Sequence, residues 1–170
     1  MLKLILLRHA KSSWTQGGQS DFERCLNERG ISDCKEMGSR LTLSGILPLR
    51  VICSSATRAS ETASLVAREL DLQADSLVFD KRLYLAEPAD LMIVLNEQAS
   101  QYTTLMLVGH NPGITAFVNR LSDGHVDNMP TCSYAEISID AKEWGDVDWG
   151  MGKLEHVDWP KRTASEHIEQ

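Results

Sequence analysis

The sequence predicts an α/β protein: a three-layer α/β/α sandwich around a mostly parallel central sheet, with an antiparallel hairpin at its C-terminal edge. Three observations carry this. Residues 2–7 (broken only by Lys3), 49–53 and 103–108 are short apolar runs with no polar face, which suits strands buried on both sides of a parallel sheet. Strand-like and helix-like stretches alternate four times along the chain. From Tyr134 the period changes to two, with Ala135, Ile137 and Ile139 alternating with Tyr134, Glu136 and Ser138, as in a strand with two unlike faces.

The elements follow in order. Asn27 is placed to cap a helix that runs to about Ser44, where Gly45 stops it. Its apolar stripe is Ile31, Cys34, Met37 or Gly38, and Leu41. Thr57 is placed to cap a second helix, with Arg58 in its first turn and Ala59, Ala63, Val66 and Leu70 turned inward. A weak strand is expected around residues 77–79, and Pro88 opens a third helix. Asn111 as cap and Pro112 at the first helical position start a fourth. Residues 144–149 and 153–157 are expected to extend the final strand as a hairpin across Gly150-Met151-Gly152. One domain over residues 1–157 and a polar tail over 158–170 are expected.

Composition narrows the function classes. A formal charge of −7 disfavours nucleic acid and anionic membranes as partners, so an anion site must be a local positive pocket. No stretch reaches the roughly 18–20 apolar residues of a membrane span. The N-terminal apolar core is too short for a signal peptide, and Cys25, Cys34, Cys53 and Cys132 show no metal-like or paired spacing. A cytoplasmic protein with free thiols, and with neither metal nor cofactor, is expected.

The three buried strands share one property: each leads into a candidate phosphate ligand. The first ends in Arg8-His9, the second leads to Arg58, and the third to His110. Parallel strands bring these ends to one edge of the sheet, where α/β proteins bind ligands. Two guanidinium forks match phosphate oxygens, and helix N-termini near Thr57 and Asn111 would add free N–H groups. Lys11 and Ser12 follow His9 closely enough to line the same pocket.

These segments resemble the histidine phosphatase (phosphoglycerate mutase-like) superfamily, and within it the small SixA-type phosphohistidine phosphatases. LLRHAKSSW is similar to their Arg-His-Gly signature, with Ala10 where Gly is usual. DFERCLNERG, SSATRASETA and VGHNPGI resemble three further motifs in matching order, although Cys25 stands where Pro is more usual, and Met129-Pro130-Thr131 before a strand is also similar. The resemblance implies a phosphoglycerate mutase-like fold. It also implies that His9 is a nucleophile that takes the phosphoryl group and that Arg8, Arg58 and His110 hold its oxygens, with a protonated His110 adding a positive donor. Inorganic phosphate would be the product.

The superfamily's ester phosphatases carry a carboxylic acid shortly after the segment matched by Lys81-Arg82-Leu83. Here Tyr84-Leu85-Ala86-Glu87 follows, and Glu87 falls two residues late. An alkoxide leaving group needs that proton, a contribution of about 10²–10⁴-fold, whereas a phosphohistidine imidazole is protonated by solvent. The expected activity is therefore a metal-independent phosphohistidine phosphatase acting on a histidine phosphotransfer type of signalling protein. The alternatives are a small-molecule phosphomonoesterase with Glu87 as acid, and a non-catalytic phosphate-binding module.

Overall fold

The structure, a computed structural model of the chain, describes residues 1–14 and 17–161. Its elements run β1 (Leu2–Arg8), α1 (Glu28–Ser44), β2 (Arg50–Ser54), α2 (Thr57–Glu69), β3 (Leu77–Asp80), α3 (Pro88–Asn96), β4 (Thr104–Gly109), α4 (Gly113–Leu121), β5 (Tyr134–Ile139) and β6 (Gly152–Asp158). They build one six-stranded sheet in the order β3-β2-β4-β1-β5-β6. The first four strands are mutually parallel, and β5 runs antiparallel to both β1 and β6.

The alternation of side chains on β1 divides the core. Leu2, Leu4 and Leu6 pack with residues of α3 and α4 on one face of the sheet. Ile5 and Leu7 pack with α1 and α2 on the other. Both faces are covered, which is why the strand carries no polar face near its centre.

Several local expectations are met. Asn27 Oδ1 accepts the Gly30 N–H at 2.9 Å, and Gly45 ends α1 with φ +75°. Others are corrected. Ile31 is 43% exposed, so the buried stripe of α1 is Cys34, Met37, Gly38 and Leu41. Ala56, not Thr57, precedes α2; it sits fully buried in the turn out of β2, where a side-chain cap has no place. Asn111 does not cap α4, which begins at Gly113; its side-chain oxygen accepts from Thr115 Oγ1 and its amide donates to Met129 O.

The hairpin is β5 with β6 alone. Residues 144–149 form no strand, because Trp144 is drawn into the core in a 3₁₀ turn. Its indole N–H donates to Tyr102 O at 2.6 Å, and Asn96 Nδ2 donates to the carbonyls of Trp144 and Val147. At the other end Asp158 closes β6 and pairs with Arg40, so the strand runs into the segment expected as tail. Residues 162–170 of that segment lie outside the described residues.

Candidate active site

The parallel register aligns the strand ends. Arg8 on β1 stands opposite Gly109 on β4, and Cys53 on β2 opposite Val108. One residue further along the chain, His9 N–H donates to Gly109 O at 3.0 Å, which leaves His9 and His110 side by side with ring centroids 5.1 Å apart. A cavity of about 430 Å³ opens over this edge. It is lined by Arg8, His9, Lys11, Ser12, Asp21, Arg24, Arg58, Leu85, His110, Asn111 and Thr131.

The segment after His9 is pinned from two helices. Ala10 N–H donates to Thr62 Oγ1, whose hydroxyl donates to Arg58 O, so the α2 turn that carries Arg58 is tied to the His9 segment. Asn27 N–H donates to Lys11 O at the start of α1. Gly30 is required there, because a Cβ would overlap the Lys11 carbonyl.

His9 is set in one tautomer. Its Nδ1 lies 2.7 Å from Ala10 O, and a carbonyl only accepts, so Nδ1 carries the proton and Nε2 the lone pair. Arg58 Nε–H points at that Nε2 at 3.4 Å. Burial, and then the nearby cations Arg58, Arg8 and Arg24, push the His9 pKa down to about 4. The ring is therefore neutral at pH 7, with its nucleophilic nitrogen in the cavity.

Arg58 is 2% exposed and held by Asp21: one terminal nitrogen donates to Asp21 O at 2.6 Å, the other to Asp21 Oδ2 at 3.0 Å. The same carboxylate accepts from Tyr84 OH at 2.6 Å and from Arg24 Nε at 3.0 Å. The Tyr84 hydrogen bond, followed by those of the arginines, holds the Asp21 pKa near 2. Asp21 is the carboxylate among the cavity-lining residues, and it is ionised.

His110 Nε2 pairs with Ser54 Oγ at 2.7 Å, and that oxygen also accepts the Ala56 N–H. Burial, with His9 and Arg58 adding repulsion, pushes the His110 pKa down to about 3. At pH 7 His110 is thus neutral and lacks the positive donor that a protonated ring would add. The reason is desolvation among cations, which the Asp21 carboxylate offsets only in part. Among the described residues three buried side-chain polar atoms have no protein partner, and two of them, Arg8 Nε and His110 Nδ1, belong to this cavity.

Of the residues singled out from the sequence, Arg8, His9, Lys11, Ser12, Arg58 and His110 line one cavity, and Glu87 does not. Glu87 is exposed beside the first residue of α3, with its backbone N–H donating to Asp90 Oδ2. Asp21, Arg24, Ser54, Tyr84 and Leu85 were missed. Asp21 and Arg24 lie in the DFERCLNERG motif and Ser54 in SSATRASETA, so the signal was present but carried no chemistry on its own.

Comparison with known proteins bears on the family and the fold. Residues 4–83 match the model of the histidine phosphatase superfamily (branch 1). An uncharacterized protein of Mycobacterium tuberculosis is 32% identical over 158 residues, covering 87% of this chain and 96% of the relative. The fold superposes on a structure provisionally described as phosphohistidine phosphatase SixA from Agrobacterium tumefaciens, with a TM-score of 0.78 at 23% identity over 94% and 99% of the two chains. A mycobacterial glucosyl-3-phosphoglycerate phosphatase shares it at a TM-score of 0.67 and 17% identity over 96% and 100%. The fold is the phosphoglycerate mutase-like one, and by sequence this chain belongs to the histidine phosphatase superfamily.

Proposed function

We propose that the protein is a metal-independent phosphohistidine phosphatase that dephosphorylates a phosphotransfer protein through a phospho-His9 intermediate. The observation that carries this reading is the pairing of a neutral His9, its Nε2 lone pair in the cavity, with a cavity carboxylate that has no proton to give. His9 Nε2 attacks phosphorus; the new P–N bond forms as the substrate's P–N bond breaks, and that electron pair returns to the substrate imidazole. Solvent supplies the leaving ring's proton. Water then attacks phosphorus, the His9 P–N bond breaks with its pair returning to Nε2, and phosphate leaves.

The residues divide the work. The Ala10 carbonyl steadies the positive charge on the His9 ring while it is phosphorylated, because Nδ1–H already points at it. Arg8 and Arg58 neutralise the equatorial oxygens, which is most of what phosphoryl transfer asks of a protein. An incoming dianion raises the His110 pKa, so this ring becomes a cationic donor only with substrate bound. Lys11 and Arg24 add to the local positive field at the mouth. Ester hydrolysis with Glu87 as acid finds little support, since Glu87 is not among the cavity-lining residues.

The test is phosphate release, in chelator, from a phosphohistidine phosphotransfer domain and from an alkyl phosphate ester. Wild type is expected to release phosphate from the protein at least about 100-fold faster than from the ester, the span of a missing acid. His9→Ala should lose about 10⁴-fold or more. Equal rates in His9→Ala, or a preference for the ester, would refute the reading.

A further inference from the structure

Residues 83–86 are held tightly at three of four positions. Leu83 and Ala86 are buried in the core beneath α3 and α4. Tyr84 is fixed by its hydroxyl on Asp21 and by edge contacts with Phe22 and His110 at 5.0 and 5.5 Å. Gly113, at the start of α4, packs so closely on the Ala86 carbonyl that any Cβ would overlap it. Leu85 alone turns outward, at φ +48° and 56% exposed, and it lines the mouth of the catalytic cavity.

That combination is unfavourable in the free protein. A leucine adopts left-handed backbone only where its surroundings force it, and an exposed one gains nothing from burial. Glycine or asparagine would suit the backbone better. The rest of the cavity lining is charged or polar, apart from the methyl group of Thr131.

We propose that Leu85 is the apolar wall of a leaving-group subsite that takes a flat heteroaromatic ring, the imidazole of a phosphohistidine side chain. The inference rests on the phosphatase reading above and adds what selects the substrate. With phosphorus over His9, the group it carries must lie toward the mouth. An imidazole ring covers the leucine methyl groups at no loss of hydrogen bonds, whereas a sugar hydroxyl there would face them without a partner.

The test compares two P–N substrates that differ only in leaving group: phosphoimidazole, which reaches Leu85, and phosphoramidate, whose ammonia does not. Leu85→Asn and Leu85→Gly keep the left-handed backbone and remove the wall. Both are expected to lower kcat/KM for phosphoimidazole about tenfold, to leave phosphoramidate within about twofold, and not to lower Tm. Equal change on both substrates, or none on either, would overturn the role of Leu85 while leaving the phosphatase reading intact. A wild-type protein that hydrolyses neither substrate would overturn the phosphatase reading, and this inference with it.

Discussion

His9 at the floor of the cavity and Leu85 at its mouth lie within one site, yet the fold holds them by different means. His9 continues β1, with its backbone paired to β4 and to the loop before β5 and its ring locked by the next carbonyl. Leu85 hangs between two buried anchors in a strained turn, with no strand to carry it. The floor follows from strand register, a property of the whole sheet. The mouth follows from how a few side chains and one glycine happen to pack. Chemistry that the superfamily shares belongs on the floor, and discrimination between leaving groups belongs where local packing can vary without disturbing the sheet.

The largest effect that would sharpen this contrast is on the floor. Arg58→Lys removes the planar fork that spans Asp21 and the His9 ring, and should lower kcat/KM by about 10²–10³-fold on every substrate alike. A loss restricted to one leaving group would break the distinction. Gly113→Ala tests how the mouth is held: its methyl would overlap the Ala86 carbonyl, so either residues 84–86 or the His110 loop must move. An activity loss of about 10–100-fold with a lower Tm is expected. Gly17→Ala, with open space around the new methyl, should change neither.

The smallest effect is a pH dependence set by the floor alone. His9 and His110 are buried neutral, with pKa values near 4 and 3 against an ordinary 6.5. Because the unfolded chain takes up protons first, their contribution to stability is complete above pH 6.5 and is lost as the pH falls from 6.5 toward 4. The drop in Tm between pH 7 and 4.5 should be smaller in His110→Gln than in wild type. It should also shrink in wild type with saturating inorganic phosphate, which favours the charged rings. Identical drops in all three would contradict the assigned environment of His110.

Much of the site was legible because it follows from chain-local patterns. The runs 2–7, 49–53 and 103–108 read as buried strands, and parallel pairing alone brings their ends together. The polar helper residues were not legible. Asp21 lies in a polar stretch whose role exists only because Arg58 and Tyr84, from two other segments, converge with the neighbouring Arg24 on its carboxylate. Trp144 misled for a related reason: its neighbourhood reads as strand until the indole finds the Tyr102 carbonyl.

What the sequence by itself determined is the layered α/β architecture, the strand ends that carry Arg8, His9 and His110, the helix start that carries Arg58, and the family. Hydrophobic period and motif order are properties of the chain. What only the tertiary structure decided is protonation and access: which His9 nitrogen bears the lone pair, why His110 is neutral until an anion arrives, that Glu87 stands aside, and that Leu85 faces the mouth. These depend on burial, on the distances between charges and on carbonyls brought together from distant segments, and no local pattern in the chain encodes a distance.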